Sequence, residues 1–369
     1  MSREIACSKR EEALEAFSHI GKVISCTPYG NGHINDTFLV VADSGKRYIF
    51  QRINTDIFRN FKGVMGNIVA VTEHIRKRVE TEGGDAARST ITVVHTNWGK
   101  RYFKDSLESR WRMYEFVEHT LAKDRVDTVQ EFADCAEAFG RFQGWLSDFD
   151  ASVLIEPIEN FHNTPVRYEN LMRAVREDPC GRVASVQKEI AFAMERKAFA
   201  STLENAHEKG LLPLRVTHND TKLNNILFDT VSGEPICVVD LDTIMPGYSV
   251  NDFGDSIRFG ATTALEDEAD LSKVNFDISL YELYVKGFIE GAKGGLSEGE
   301  LEMLPVGAMM MTFECGMRFL TDYLSGDTYF KISRPEHNLD RARNQFKLVS
   351  DMEAQLDKMH EIVNKYSQI

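Results

Sequence analysis

The sequence has few of the residues that mark unusual protein classes. Only 9 of its 369 residues are proline and 6 are cysteine. The cysteines are widely spread and form no C-x-x-C pair, so the sequence predicts neither a disulfide framework nor a zinc site. Because 43% of the residues are hydrophobic, the composition excludes a disordered or fibrous chain and allows a sizeable core.

Long hydrophobic runs are also missing. The richest apolar stretch, residues 301–324, is interrupted by residues such as Glu302, Pro305, Glu314 and Arg318, whereas a bilayer-spanning helix needs about 18 uninterrupted apolar residues. Residues 1–20 mix charged and apolar side chains and do not have the apolar core of a secretory signal. We therefore expect a soluble cytoplasmic protein with reduced thiols and no membrane partner.

Positive charge is the third deficit. The chain has 43 Lys and Arg against 57 Asp and Glu, a net charge of -14. A negative protein repels polyanions at long range, which argues against nucleic acid as a partner. A local basic pocket for a small phosphate group is compatible with this charge. No pattern in the sequence indicates an obligate protein partner.

The first third of the sequence has the pattern of an antiparallel sheet. Strands are predicted at residues 23–29, 37–41, 48–52, 91–94 and 111–117, with a helix around residues 67–81. The turn Asp43-Ser44-Gly45-Lys46 joins the second and third strands into a hairpin.

The rest of the sequence changes to a helical period. From Glu131, apolar residues recur at three- and four-residue steps, and the same spacing defines a last helix from Ala342 to Val363. We therefore predict an α+β fold with two lobes. Residues 1–118 form a small antiparallel sheet with one helix, and residues 119–369 form a mainly helical lobe.

The densest polar chemistry lies in a strand-turn-strand segment inside the helical part. Residues 215–229 contain H-x-D-x-x-x-x-N, in which Asp220 at the loop tip can accept a proton from a substrate hydroxyl while Asn225 lies near a metal. The next apolar strand ends in Asp240 and Asp242. Oxygen ligands suit a hard cation such as Mg²⁺, so Asn225 and Asp240 are the candidate metal ligands. Each piece alone is common in turns and helix caps, and it is their order and spacing together that predict a reaction.

These motifs resemble the aminoglycoside phosphotransferase and choline kinase family, whose fold is related to that of protein kinases. Further blocks at residues 30–35, 114–120, 240–247 and 315–320 resemble the N-acetylhexosamine 1-kinases of bacteria, and the similarity spans about residues 29–346. The resemblance implies ATP as phosphoryl donor, Mg²⁺ as metal, and transfer to the anomeric hydroxyl of an N-acetylhexosamine (GlcNAc or GalNAc) to give the sugar 1-phosphate.

The resemblance also implies roles for the loop residues. Asp220 is the catalytic aspartate and faces the anomeric hydroxyl, Asn225 and Asp240 hold Mg²⁺, and His218 braces the loop. Asp242 is placed with the substrate-binding residues. It could also be a second metal ligand, or simply a hydrogen-bonded strand end.

The nucleotide site is predicted in the first third of the chain. Small residues in Gly30-Asn31-Gly32 allow backbone amides to approach phosphate oxygens. By the resemblance, His33 and Asn35 face the nucleotide or the sugar, and the backbone of Glu115, Phe116 and Val117 binds adenine.

Related kinases carry a phosphate-binding lysine on the strand that follows this turn, and here residues 48–52 contain none. Either Arg52 supplies the charge, which we favour, or Gln51 makes a neutral hydrogen bond and the metal does the rest. Arg52 could also be a solvated charge at a strand end.

The acceptor is predicted to bind near residues 314–330. Arg318 lies among apolar helix neighbours and needs a carboxylate or a ligand oxygen as partner. The resemblance places Arg318 and Tyr329 in the sugar pocket. A kinase for another alcohol, such as an amino alcohol, homoserine or an aminoglycoside, and a nucleotide-binding pseudokinase remain the alternatives.

A second apparent motif, Asp252-Phe253-Gly254, spells the D-F-G of protein kinases. It lies 32 residues after Asp220, too far for the strand that follows the loop, whereas Asp240 is at the equivalent place. We therefore predict a helix start at residues 252–255, whose acidic residues either lie near the positive end of the helix dipole or tie down the loop.

Overall fold

A computed structural model describes residues 3–30, 34–123 and 128–368. The strands are β1 (Val23–Pro28), β2 (Asp36–Ala42), β3 (Arg47–Ile53), β4 (Val93–Val94), β5 (Phe103–Lys104), β6 (Arg110–Glu115), β7 (Thr120–Ala122), β8 (Arg215–Thr217), β9 (Ile226–Asp229), β10 (Pro235–Val238) and β11 (Met245–Gly247). The helices are α1 (Arg3–Glu15), α2 (Phe61–Thr81), α3 (Ala86–Ser89), α4 (Val129–Trp145), α5 (Thr164–Glu177), α6 (Gln187–Glu195), α7 (Thr202–Glu208), α8 (Ser249–Gly260), α9 (Ile278–Ala292), α10 (Glu298–Leu324), α11 (His337–Ala354) and α12 (Leu356–Ser367).

The chain divides into two compact units. The first contains Met1–Leu121, Val153–Glu159 and Leu227–Met245, and the second contains Ala122–Ser152, Asn160–Ile226 and Pro246–Ile369. The first holds the large antiparallel sheet and the second is mainly helical, which confirms the predicted α+β class. The predicted lobes, 1–118 and 119–369, are a simpler division with one boundary and stay a prediction.

An antiparallel sheet in the order β1-β2-β3-β6-β4 organises the first unit, with β5 also paired to β6. The predicted hairpin is confirmed, since β2 and β3 pair in register around the turn at Gly45, whose φ is +82°. Phe17, just after α1, packs against Phe50 of β3, and Phe50 stacks on Trp111 of β6 at 4.9 Å. These contacts form the core on the α1 face of the sheet.

The helix α2 lies on the opposite face of the sheet. It begins at Asn60, whose side chain accepts a hydrogen bond from Gly63 N. Its buried Asn67 donates to the carbonyls of Ile155, at 2.7 Å, and Ile244, at 2.8 Å. Through these bonds α2 fixes the backbone just after Asp242.

Close helix packing forms the core of the second unit. A Cβ on Gly254 of α8 would lie 2.3 Å from the carbonyl oxygen of Gly307 of α10, and a Cβ on Gly307 would lie 2.4 Å from Val250 O. Only glycine allows the two backbones to come this near. The helix α10 begins at Ser297, which forms a capping box with Glu300.

The predicted last helix is wrong in one respect: it is two helices. The helix is interrupted at Gln355, whose φ of -116° is not helical. Met352 before the break and Met359, Ile362 and Val363 after it are all buried. Apolar spacing continues across the break because both helices bury the same kind of face, so periodicity alone did not reveal it.

Within the described ranges, no helix is both long enough and apolar enough to cross a membrane.

Candidate active site

The H-x-D loop follows β8, and its backbone is held by hydrogen bonds to one carboxylate. Asp252, in the first turn of α8, accepts hydrogen bonds from the backbone amides of His218 and Asn219, both at 2.8 Å. Gln143 of α4 donates to the same carboxylate at 2.9 Å. Asp252 is 1% exposed, so it has a structural position, and the prediction that it ties down the loop is confirmed.

The loop backbone is bent so that the next residue projects outward. Asn219 adopts φ +66°, in the left-handed region, which costs an L-residue about 1–2 kcal/mol. Asp220 follows, and its amide donates to Nδ1 of the buried His218 at 3.3 Å. The rings of Phe139 and Phe142 enclose His218. His218 therefore braces the loop, as the sequence predicts.

Both carboxylate oxygens of Asp220 have a partner within the loop. Lys222 Nζ lies 2.5 Å from Oδ1, and Asn225 Nδ2 donates to Oδ2 at 3.0 Å. The Asp220 side chain is still 33% exposed. An accessible carboxylate held by two donors is suited to receive a hydroxyl proton.

Lys222 is a site residue that sequence analysis missed. Burial alone would lower its pKa, but the charge and hydrogen bond of Asp220 outweigh burial, and the pKa of Lys222 is raised. The signal was present as a lysine two positions after the loop aspartate, and it is the one charged residue between Asp220 and Asp229.

Asn225 is oriented by the same loop. Its Nδ2 also donates to the carbonyl of Asp220, at 2.8 Å. Because the amide nitrogen is used twice on Asp220, the side-chain oxygen Oδ1 is the atom left for a cation. An amide oxygen and the carboxylate of Asp240 are suitable donors for a divalent cation. Asn225 and Asp240 belong to different units, and their joint coordination of a metal stays a prediction.

The segment that carries Asp240 is strained and tightly held. Asp240 adopts φ +60° and is exposed, and the next residues, Leu241–Thr243, form a 3₁₀ turn. Such backbone conformations persist where neighbouring contacts over-determine them. Here the contacts come from Asp242, which is 3% exposed.

Asp242 forms a buried ion pair with Arg112 of β6. Arg112 donates to both carboxylate oxygens, with Nη2 at 2.9 Å from Oδ2, and Asn35 Nδ2 donates to Oδ2 at 2.8 Å. Burial alone would lower the pKa of Arg112, but the Asp242 charge outweighs it and the pKa is raised. Asp242 thus contacts neighbouring side chains in the first unit, and the prediction that it binds substrate stays a prediction.

Arg112 is the second residue that sequence analysis missed. The signal was a charged residue between the apolar Trp111 and Met113 in a predicted strand, because a buried cation requires a partner. The partner, 130 positions away, is not visible in the sequence.

The predicted phosphate-binding strand presents its two polar residues on opposite faces. Arg52 shares the α1 face with Phe50, because side chains alternate along a strand, and its Nε donates to Asp36 at 2.7 Å. Gln51 lies on the other face, where it donates to Thr37 at 3.0 Å and accepts from Arg112 Nε at 2.9 Å. Of the two, the structure brings Gln51, not Arg52, together with the Asp242 segment.

The predicted turn and adenine-binding residues are placed only in part. Gly30 has φ +74°, while Asn31, Gly32 and His33 lie outside the described residues. At the end of β6, Phe116 N donates to Arg47 O at 3.1 Å, and Val117 O accepts from Thr120 Oγ1 at 2.7 Å.

Around Phe116 there is a cluster of flat side chains. Its ring contacts Tyr29 edge-on at 5.9 Å and the Arg47 guanidinium at 4.1 Å. Glu115 is exposed. Adenine binding by residues 115–117 stays a prediction.

Arg318 on α10 lies among aromatic rings. Its guanidinium is 5.9 Å from the ring centroids of Phe161 and Tyr329, and 5.6 Å from that of Phe330. The Tyr329 ring is largely exposed, and its backbone amide donates to Asp322 at 2.8 Å. Among the described residues Arg318 makes no hydrogen bond or ion pair.

The nearest acidic residue on α10 is already used. Glu314, one turn before Arg318, binds His162 at 2.8 Å and Thr164 at 2.7 Å. Arg167 lies nearby: burial first, and then the Arg318 charge, lower the pKa of Arg167. Two guanidinium groups with few carboxylate partners therefore lie in one region of the second unit.

In the described part of the chain, no group of three or more His, Cys, Asp and Glu side chains could hold a metal ion.

The model of the APH phosphotransferase enzyme family matches residues 25–282, which include the H-x-D loop, Asp240, β2 and β3. The chain belongs to this family.

Solved structures support the two-lobed, protein-kinase-like fold of this phosphotransferase. An aminoglycoside phosphotransferase from Alicyclobacillus acidocaldarius is 12% identical, with 96% of each chain covered and a TM-score of 0.60. A microcompartment-associated aminopropanol kinase is 14% identical, with 96% of this chain and 98% of that chain covered and a TM-score of 0.54. A choline kinase from Cryptosporidium parvum is also 14% identical, with 93% and 92% covered and a TM-score of 0.50.

Proposed function

We propose that this phosphotransferase is an ATP-dependent anomeric kinase that converts an N-acetylhexosamine, GlcNAc or GalNAc, into its 1-phosphate. Membership of the family and the accessible Asp220 support phosphoryl transfer to a hydroxyl. The sugar assignment rests on the sequence resemblance over residues 29–346. Within the structure it is supported by one observation, Arg318 among three aromatic rings, where it makes no hydrogen bond or ion pair with the described residues.

Asp220 accepts the proton of the attacking hydroxyl in this proposal. Lys222 and Asn225 hold its carboxylate in one orientation, so the base is positioned before the acceptor arrives. Lys222 releases Oδ1 when the hydroxyl binds there. Its ammonium group is then available to the transferred phosphoryl group.

Asn225 and Asp240 would hold a divalent cation, which neutralises charge on the nucleotide phosphates when it is bound. In this proposal the backbone of the turn that begins at Gly30 binds the phosphates, and residues 115–117 bind adenine. Either Arg52 or Gln51 of β3 takes the place of the usual phosphate-binding lysine. Gln51, which would form a neutral hydrogen bond, is the better candidate because of the face of the sheet on which it lies.

The acceptor region favours a neutral or carbonyl-bearing acceptor. Arg318 can donate to the N-acetyl carbonyl and to sugar hydroxyls, and aromatic rings such as Tyr329 can pack against a pyranose face. Arg167 adds a second positive charge that lowers the affinity for cationic acceptors such as aminoglycosides and choline.

The alternative is a kinase of the same fold for an amino alcohol, homoserine or an aminoglycoside. It has support from the names of the similar structures, which are an aminoglycoside phosphotransferase, an aminopropanol kinase and a choline kinase. The two arginines argue against the cationic members of that set. A pseudokinase is opposed by Asp220, Asn225 and Asp240.

An acceptor screen tests the proposal. ATP consumption is measured with GlcNAc, GalNAc, glucose, galactose, choline, homoserine and kanamycin, and the product is identified by phosphorus NMR. A 1-phosphate formed from an N-acetylhexosamine, with the plain hexoses at least tenfold poorer, is the expected result. Preference for choline, homoserine or kanamycin would establish the alternative, and no turnover with any acceptor would favour the pseudokinase.

A further inference from the structure

The buried Arg112–Asp242 pair has a position that neither phosphoryl transfer nor acceptor binding explains. The two side chains are 2% and 4% exposed, and Arg112 donates to both Asp242 oxygens. Desolvating two charges is costly even when they are paired. Such a pair is therefore weak evidence that it stabilises the fold, and better evidence that the two side chains must be held in a defined position.

Asp242 cannot easily act as a ligand while these bonds are formed. Its Oδ1 accepts from Arg112, and its Oδ2 accepts from Arg112 and from Asn35 at 2.8 Å. Arg112 is equally engaged, since its Nε donates to Gln51 at 2.9 Å. Neither side chain has an atom directed to solvent.

The pair joins two segments that the proposed function requires. Asn35, which binds Asp242, also accepts from Asn54 N at 3.0 Å through its Oδ1, and so fixes the chain directly after the turn at Gly30. Asp242 is two residues after Asp240, whose φ of +60° needs support from its neighbours. Two residues further on, the carbonyl of Ile244 accepts from Asn67 of α2.

We propose that Arg112 and Asp242 are positioning residues which, through the short 3₁₀ turn Leu241–Thr243, aim the Asp240 carboxylate at the metal of the bound nucleotide. This inference rests on the proposed function. It resolves the role of Asp242 in favour of a hydrogen-bonded strand end rather than a ligand. β3 lacks the lysine of related kinases, and in this proposal Arg112 on the neighbouring strand β6 is the cation in its place. Arg112 contacts the protein and not the phosphates.

The test compares nucleotide binding with and without metal in the full chain. The affinity for AMP-PNP is measured by calorimetry in EDTA and in Mg²⁺ for the wild type, Arg112→Met, Asp242→Asn and the double variant. Asp240→Asn is the reference for a lost ligand. Arg110→Met, on the same strand with a partly exposed side chain, is the matched control.

We expect Arg112→Met and Asp242→Asn to bind AMP-PNP in EDTA within about twofold of the wild type. In Mg²⁺ their affinity should fall about 10–100-fold, the usual loss when a residue that orients a metal ligand is removed. The double variant should be no worse than the poorer single variant, because the two residues act as one unit. Arg112→Lys, which keeps the charge but not the bidentate contact, should lie between Arg112→Met and the wild type.

Three results would overturn the inference. Weaker binding of Arg112→Met in EDTA would mean that Arg112 contacts phosphate directly. A defect in Asp242→Asn with a normal Arg112→Met would make Asp242 a ligand. Additive losses in the double variant would mean that the two residues act separately.

Folding is followed in parallel by thermal unfolding. Arg112→Met leaves a buried carboxylate without its partner and can fail to fold, whereas the double variant has no charge at that place. If only the double variant folds, it must lose the Mg²⁺-dependent affinity while its EDTA affinity stays normal, and a normal Mg²⁺ affinity would refute the inference.

The outcome for the wild type separates the two proposals. If the wild type binds AMP-PNP without any effect of Mg²⁺, the proposed function fails and the inference fails with it. If the wild type depends on Mg²⁺ and all the Arg112 and Asp242 variants match it, only the inference fails.

Discussion

Asp220 and Asp252 are carboxylates at the same loop, and the fold treats them in opposite ways. Asp252 is 1% exposed and accepts from two consecutive loop amides and from Gln143. Asp220 is 33% exposed, and both its partners belong to the loop itself. One carboxylate holds the loop in place and the other is presented at its surface.

The same contrast separates two arginines of the second unit. Arg215 donates through Nε and Nη2 to Glu300, at 2.9 and 2.7 Å, and to two backbone carbonyls. Arg318 lies among three aromatic rings and makes no hydrogen bond or ion pair within the part of the chain that the structure describes. A charged group whose hydrogen bonds are satisfied by the protein shapes the fold, whereas one without such bonds is available to a ligand.

The largest expected effect is at Asp220. Asp220→Asn removes the proton acceptor without changing side-chain size, so kcat should fall about 10²–10⁴-fold while nucleotide affinity and the unfolding temperature stay near the wild type. Kinetics, calorimetry and thermal unfolding measure the three quantities.

Asp252→Asn is the matched control for that variant. It places an amide NH₂ against a backbone donor, so the free energy of unfolding should fall by about 1–3 kcal/mol. A stable but inactive Asp252→Asn, or an active Asp220→Asn, would reverse the two roles.

The second prediction concerns Glu300. Burial alone would raise its pKa, but hydrogen bonds from Arg215, Ser249 and Ser297 outweigh burial and hold the pKa below its ordinary value of 4.5. A carboxylate with a lower pKa in the folded state stabilises the protein above the unfolded pKa, and this contribution disappears as the pH falls below about 4.5.

Glu300→Gln should therefore lower the free energy of unfolding at neutral pH by about 3 kcal/mol, because it leaves Arg215 without its partner. It should also reduce the loss of stability between pH 5 and the acid range, to an extent measured by urea unfolding at several pH values. An unchanged acid profile would show that other carboxylates dominate.

The third prediction concerns Arg318. Arg318→Met should raise the KM for the acceptor about 10–30-fold, since it removes a charge-assisted hydrogen bond. The nucleotide KM and the unfolding temperature should not change. Steady-state kinetics with the best acceptor measures the effect, and a loss of folding stability instead would place Arg318 with Arg215 among the structural arginines.

The smallest expected effect is at Arg52. Its guanidinium lies on the α1 face of the sheet and pairs with the exposed Asp36, and exposed ion pairs contribute about 0–1 kcal/mol. Arg52→Met should change the nucleotide KM less than about twofold. A tenfold increase would restore the sequence-based interpretation that Arg52 clamps the phosphates.

Local patterns predicted what depends on neighbours in the chain. The turn at residues 43–46 predicted the hairpin of β2 and β3, and the distance of Asp252 from Asp220 indicated a helix start rather than a second metal-binding motif. Strand alternation also indicated the face of the sheet on which Arg52 lies. Arg52 is two positions from Phe50 and therefore shares its face, and Phe50 is plainly a core residue.

Long-range pairs were not predictable in the same way. Arg112 and Asp242 are 130 residues apart, and Asn35 reaches Asp242 across 207 positions. Nothing local encodes which buried carboxylate a buried arginine will meet, since the large sheet and the segment after β10 must first be assembled. The residues that sequence analysis missed are of this kind, apart from Lys222, whose partner is only two positions away.

The near-contact of the α8 and α10 backbones at Gly254 and Gly307 has a consequence for the whole second unit. α8 carries the carboxylate under the Asp220 loop, and α10 carries Arg318 three turns further along. Because no side chains separate the two backbones at this contact, these helices cannot slide past each other. Asp220, the proposed proton acceptor, and Arg318, the proposed acceptor-binding residue, thus depend on one rigid helix pair. An added methyl group at either glycine would displace both side chains together.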